Sequence, residues 1–273
     1  MLRRSLIRMA CLRAPNQVRR GMATATGTDS GDAKRAEVTL KRFWKAANLD
    51  ERPNAFCVTL DKRPLKTAGG RLLEIPKTKR MLATLIAFEW DNQERLIKPY
   101  ALPLTSLASR VIDDLHQDLA RAEVEQALLR YLDTDSICFP EEAPEALVNL
   151  QARHWQPIID WAQKEFNIEI FSFTGIFGSG QPPASKAKLE EVLSKLDAWE
   201  LSGLERAVYA SKSLLIGLAL IHGRLSPEQA AQAAHVEVSS QIQRWGEVED
   251  SHDVDYHDIR RQLGSVACLL AKV

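Results

Sequence analysis

An α+β fold is expected for this chain: a small N-terminal antiparallel β-rich domain followed by a larger multihelical domain. Three observations predict it. Residues 55–60, AFCVTL, place Phe56, Val58 and Leu60 at the two-residue period of a strand, and RLLEIP (71–76) reads as the returning strand. Beyond Pro76 apolar residues recur at helical spacing nearly to the C-terminus. Helix-start signals punctuate that second part, among them SPEQ at 226–229. We expect three segments: 1–28 as a transit segment, 29–90 as the β-rich domain and 91–273 as the helical domain. The β-to-helix boundary falls between Pro76 and Pro103.

The first 28 residues hold six Arg, no Lys and no acid, whereas the remaining 245 hold 30 basic and 36 acidic residues. An Arg-rich, acid-free start with Leu2, Leu6 and Met9 on one helical side is the pattern of a mitochondrial transit peptide. No apolar core follows the charges, so a secretory signal fits poorly. Removal near Met22 fits this reading; a disordered basic tail is the competing one. Residues 24–32 are Thr/Ser/Gly/Asp-rich and read as loop, and a short helix is expected within AEVTLKRFWKAANL (36–49). The span 55–76 then reads as two to four antiparallel strands punctuated by AGG at 68–70.

Residues 77–97 form the first long helical candidate, with Leu82, Ile86, Trp90 and Ile97 as its stripe. Glu89 and Gln93 lie on or beside that stripe and need polar partners, since unpaired burial is costly. KPYALPLT interrupts, and Thr105 is the expected cap of a helix facing inward through Leu107, Val111, Ile112 and Leu115. FSFTGIFGSGQPP (171–183) is a break, 185–199 is helical, and SGLE at 202–205 fits a capping box for a helix that Gly223 stops. LLIGLALI (214–221) is too short to span a membrane and reads as a buried helix. A helix over 227–245 buries Ala231, Ala234, Val238, Ile242 and Trp245, and the last helix carries Tyr256, Ile259, Leu263, Val266 and Leu270.

The composition excludes several functions. Without its first segment the chain is mildly acidic and has no basic tract, so nucleic acid has no electrostatic foothold. Cys11, Cys57, Cys138 and Cys268 show neither CxxC nor zinc spacing. GRLLEIPKT and GSGQPPASK imitate a phosphate loop but lack the Gly before Lys, and their prolines remove needed N–H groups. No GxSxG or cysteine-nucleophile signature occurs, and no catalytic residue is assigned.

One stretch invites a metal: His252, Asp253, Asp255, His257 and Asp258 stand within seven residues. The spacing fails as an EF-hand, because Asp258 stands where Gly belongs and Gly264 where Glu belongs. It fails as a zincin, because the two His are five apart. Acids at the start of a helix account for it, with Arg260 and Arg261 as partners. A metal-dependent hydrolase using this cluster is the alternative function.

Read together, VTLDKRPLKT (58–67), LIAFEWDNQERLIKPYALPLTSLASRVID (85–113), YLDTDSICF (131–139), LQARHWQPIIDW (150–161) and EVSSQIQRWGEVEDSHDVDYHD (237–258) resemble the mitochondrial ATP synthase assembly factor 2 family. The resemblance covers nearly everything after residue 28. It implies a matrix chaperone, not an enzyme, that binds the unassembled α subunit of the ATP synthase catalytic head and prevents its aggregation until it pairs with β. It implies no cofactor and no metal; a monomer is expected. The family's key acidic position matches Glu237. From the residues alone, Glu237 is a surface carboxylate paired to Gln241. With the resemblance, Glu237, Gln241 and Arg244 form a partner-binding stripe beside an apolar face. Trp245 is either an interface anchor or the last core residue of its helix. Glu89, Trp90 and Gln93 read as a structural network; Asp113 and Asp133 carry no assigned role.

Overall fold

The computed structural model describes residues 41–175 and 180–271. The expected transit segment, 1–28, and the first residues of the expected 36–49 helix lie outside them. From Lys41 on the chain forms one compact unit.

Strand β2 (Ala55–Leu60) is the centre of a four-stranded antiparallel sheet. β1 (Ala47–Glu51) pairs along one side, while β3 (Arg63–Pro64) and β4 (Glu74–Pro76) share the other. The expected alternation holds for Phe56, Val58 and Leu60, all buried, but Cys57 is buried as well, so both faces of the strand are covered. The helix expected over 36–49 is overturned for its described part: Ala47–Glu51 is strand, and Lys41 bridges to Leu96. Pairing with the strongly β-forming β2 outweighs a weak helical propensity here.

Helix α1 (Arg80–Asp91) buries Leu82, Ala83, Ile86 and Ala87 at helical spacing. It stops at Asp91, short of the expected 97. The Gln93 amide donates to the Glu89 carbonyl at 3.1 Å, and Arg42 donates to the carbonyls of Asp91 and Gln93, so the orphan acceptors of the helix end are met from outside it.

Helix α2 (Pro103–Arg110) begins before Thr105, and its cap is not Thr105. The Glu89 carboxylate accepts the N–H groups of Leu104 and Thr105 at 2.7 and 2.9 Å and the Thr105 hydroxyl at 2.7 Å. Trp90 Nε1 donates to Thr105 Oγ1 at 3.0 Å, and buried Trp44 donates to the Trp90 carbonyl at 3.3 Å. Burial pushes the Glu89 carboxyl upward while these three donors pull it down, and burial prevails. A π-turn, Val111–Leu115, continues α2. It places Asp113 against the β3–β4 loop, where it accepts the Thr67 hydroxyl (2.6 Å) and the Gly69 N–H (2.9 Å). A Cβ at Gly69 would sit 2.7 Å from Asp113 Oδ1, so only glycine allows this approach.

The remaining helices are α3 (Asp118–Tyr131), α4 (Glu145–His154), α5 (Gln156–Phe166), α6 (Pro183–Lys195), α7 (Ala198–Ser211), α8 (Leu214–Ile221), α9 (Pro227–Ala234), α10 (Val236–Trp245) and α11 (Glu249–Leu270). Asp133 ties the 180s segment to the end of α3 by accepting Gln181 N–H at 2.8 Å and pairing Lys186 at 2.7 Å. Burial raises its carboxyl, but Lys186 and the Gln181 N–H outweigh burial and hold it below the usual value.

Three expected boundaries shift. The 185–199 helix divides at Leu196, and α7 starts with a capping box of Asp197 and Glu200. SGLE therefore lies inside α7: Ser202 is buried and donates to the Leu107 carbonyl, while Glu205 takes both arms of Arg110 at 3.0 Å. Left-handed Lys212 (φ 60°) ends α7, and Ser213 caps α8. α8 is buried as expected, packed so tightly on α7 that a Cβ at Gly217 would meet Val208 Cγ2 at 2.8 Å. SPEQ does cap α9, with Ser226 and Gln229 bonding reciprocally. The 227–245 helix is two helices meeting at His235.

Asp135 is fully buried where the α3–α4 connection meets the start of α8, accepting Leu215 N–H at 3.0 Å and Ile137 N–H at 3.3 Å. Burial pushes its carboxyl up to about 6, against the opposing hydrogen bonds from Ser213, Leu215, Ile137 and Leu214. One continuous apolar core runs from Trp44 under the sheet to Leu269 in α11. No described helix is long and apolar enough to cross a membrane.

Two predictions follow from these buried carboxylates. Glu89→Ala strands the first N–H groups of α2 and lowers unfolding free energy by about 2–3 kcal/mol, read from the urea midpoint at unchanged slope. Asp135 has a folded pKa above its ordinary 3.8, so its contribution is full below that value and fades as pH rises through about 6. The stability difference between the native chain and Asp135→Asn therefore declines by roughly 2–3 kcal/mol between pH 4 and 6.5 and then levels off; a flat difference would place the titration elsewhere.

Candidate functional site

Helix α10 is amphipathic and short. Val236 and Ser240 are buried against the body, and the helix packs along α4. Its position is set from below: Trp155 Nε1, at the α4–α5 junction, donates to the Ala233 carbonyl at 2.8 Å. Gly246 (φ 87°) ends α10 by letting the chain turn into α11. Glu237, Gln241 and Arg244 all face outward from this helix.

The four candidate partner-binding residues converge. Glu237, Gln241, Arg244 and Trp245 line one cleft of about 190 Å³, closed on the other side by Glu141, Pro144 and Leu147. Buried Gln151 organises that far wall. With its amide oriented to match donor to acceptor, it bonds the Glu141 carbonyl at 3.0 Å and the Glu141 N–H at 3.1 Å. Pro144 and Leu147 were not singled out in the sequence. Leu147 belongs to a four-residue spacing with Gln151 on α4, a faint signal, and the α4–α10 pairing is long-range.

Trp245 is 70% exposed, so the core reading of this residue is overturned: α10 turns its buried face through Val236 and Ser240, not through Val238 and Trp245. The indole is held by Arg244, whose guanidinium lies 4.9 Å from the ring centroid. The pairing of Glu237 with Gln241 is absent, and the Glu237 carboxylate has no hydrogen bond or ion pair to any described residue. Val248, Val254 and Tyr256, which follow in the sequence, are exposed as well.

The acidic cluster is arranged differently from its sequence appearance. α11 starts at Glu249, so Glu249 and Asp250 occupy the first turn rather than Asp253, Asp255 and Asp258. His252 Nδ1 accepts the Val248 N–H at 2.9 Å. Asp258 bonds Arg261 and Gln262 along its own helix, which holds its carboxyl below the usual range. Arg260 pairs with Glu228 through two bonds of 2.8 Å. Among the described residues no three His, Cys, Asp or Glu side chains gather in metal-binding geometry.

Comparison with known proteins gives a consistent result. Residues 41–163 match the family described as ATP12 chaperone protein. The chain is 32% identical to "Protein atp12, mitochondrial" of Schizosaccharomyces pombe over 239 residues, covering 85% of this chain and 82% of that protein. It is 30% identical to "Protein ATP12, mitochondrial" of Saccharomyces cerevisiae, covering 86% and 85%. The crystal structure of Atp12 from Paracoccus denitrificans superposes with a TM-score of 0.73 at 31% identity, covering 86% of this chain and all of that one.

Because the cleft residues of α10 point away from the core, Glu237→Lys and Trp245→Ala leave the urea midpoint unchanged within error. Ser240→Leu, on the buried face, lowers stability by about 1–3 kcal/mol through overpacking. A large loss from Trp245→Ala would show the indole to be part of the core after all.

Proposed function

The chain belongs to the ATP12 chaperone family, and from that premise we propose that it is an ATP synthase assembly chaperone of the mitochondrial matrix. Its client is the unassembled α subunit of the catalytic head, held until β replaces the chaperone. The observation that carries the reading is the α10 cleft: a carboxylate with no partner among the described residues, an amide, a guanidinium and an exposed indole on one rigid helix.

An unassembled subunit exposes apolar surface that otherwise faces its neighbour, and such surface associates wrongly. Trp245, with Pro144 and Leu147 beside it, offers the desolvated anchor that interface energetics favour. Glu237 then accepts a charge-assisted hydrogen bond from the client, which fixes register as well as adding affinity. The burial of Val236 and Ser240 keeps the helix in place, so little order has to be acquired on binding. Release requires only that β bind the same client surface more tightly; mass action supplies the exchange without nucleotide.

The test is light scattering of purified α subunit diluted from denaturant without ATP. Equimolar chaperone suppresses the scattering. Trp245→Ala weakens the interaction by roughly thirtyfold, the loss of a hot-spot residue, and Glu237→Lys abolishes suppression while both variants remain folded. Full suppression by Glu237→Lys would sink the assignment of the cleft, and no suppression by the native chain would sink the client.

A further inference from the structure

A second concavity, of about 190 Å³, shares no lining residue with the α10 cleft. Arg153 and His154 reach it from the last turn of α4, Arg224 from the turn after α8, and Gln229 from the first turn of α9. Its apolar floor is Pro157, Ile158 and Leu225, and no carboxylate lines it.

The guanidiniums of Arg153 and Arg224 are donors only, and they are unspent. Neither Arg153, Arg224 nor His154 makes a side-chain hydrogen bond or ion pair to any described residue. Arg42, Arg52, Arg110, Arg121, Arg260 and Arg261 meet carboxylates, whereas Arg153 and Arg224 meet none among the described residues. Gln229 uses its side-chain oxygen to accept the Ser226 N–H at 2.9 Å, which turns its NH2 group into another donor without a partner among the described residues. Arg153 and His154 suit the C-terminal end of the α4 dipole, but Arg224 comes from a different element and has no such reason to be there. Burial first, and the neighbouring Arg153 second, hold the His154 imidazole below its usual value.

We infer that this pocket binds a small oxyanion of the phosphate class, with the Arg153 and Arg224 guanidiniums and the Gln229 amide as donors. Guanidinium forks match the tetrahedral oxygens, and the apolar floor receives the organic part of a phosphate ester. The oxyanion comes either from a free phosphate or phosphomonoester or from a phospholipid headgroup. Arg153 and Arg224 do not line the α10 cleft, so this inference stands or falls separately from the client reading.

The experiment follows the His154 ring by NMR in the full chain, its signal assigned with His154→Gln. Inorganic phosphate is titrated at constant ionic strength against chloride. A parallel arm measures sedimentation with vesicles of anionic phospholipid and of phosphatidylcholine alone. Expected is a saturable shift with a raised imidazole pKa, or selective sedimentation with anionic vesicles, each weakened about tenfold by Arg153→Gln or Arg224→Gln. Arg63→Gln, which removes a guanidinium lying 5.9 Å from the Phe43 ring instead, leaves both unchanged. A response in the phosphate arm identifies the free anion, and one confined to vesicles identifies the headgroup. No saturable response in either arm, an equal response to chloride, or one that survives replacement of both arginines overturns the inference.

Discussion

The structure depends on a carboxylate that leaves its own helix to start the next. Glu89 sits on α1 and satisfies the first donors of α2, a helix that begins with Pro103 and has no cap of its own. The same contact brings the Thr105 hydroxyl under Trp90 and, through the Trp90 carbonyl, fixes Trp44 ahead of β1. The entry to the sheet, the helix on it and the first helix of the larger bundle are thereby held in one hydrogen-bonded chain. Asp113 and Arg71 repeat the connection further on, closing the β3–β4 loop on the π-turn. Because the groups joining Glu89, Trp90, Leu104 and Thr105 are half-buried or buried, an arrangement that broke one of their bonds would leave a polar group unmatched, which favours a single geometry.

A separate set of contacts holds the helix that carries an aromatic residue in solvent. α10 is only ten residues long and would be marginal alone. Its buried Val236 and Ser240, the Trp155–Ala233 bond beneath it and the Gln151–Glu141 clasp opposite give the cleft two fixed walls. Trp245 and Glu237 are consequently displayed without being needed for the fold. The polar groups that follow are spent differently: His252 and Asp258 serve the start and surface of α11, which explains a sequence that imitates a metal site.

Much of the architecture was legible in the residues. The alternation in 55–60, the buried character of LLIGLALI and the Ser-Pro-Glu-Gln cap all depend on local rules and all appear where expected. The errors share a cause. Thr105 and SGLE are good caps by composition, yet the first yields to Glu89 from another helix and the second lies within α7 because Asp197 and Glu200 start the helix earlier. The 227–245 periodicity runs across the break at His235, and a helical wheel drawn through a break assigns Trp245 to the wrong side.

The sequence by itself determined the class of fold, the order of sheet and helices, the family, and the four residues of α10 as candidates for a partner. The fold class and the order of elements follow from periodicity and capping chemistry; the family and the candidacy of the four α10 residues are what the resemblance of the ordered motifs implies. Tertiary structure alone decided that these four share a cleft with Pro144 and Leu147, that Trp245 is outside, that Asp113 and Asp133 are joints of the scaffold, and that the expected network of Glu89 and Trp90 closes on Leu104 and Thr105. The physical reason is distance along the chain: each of those outcomes depends on a contact between residues far apart in sequence, where no local pattern records which partner a side chain will meet.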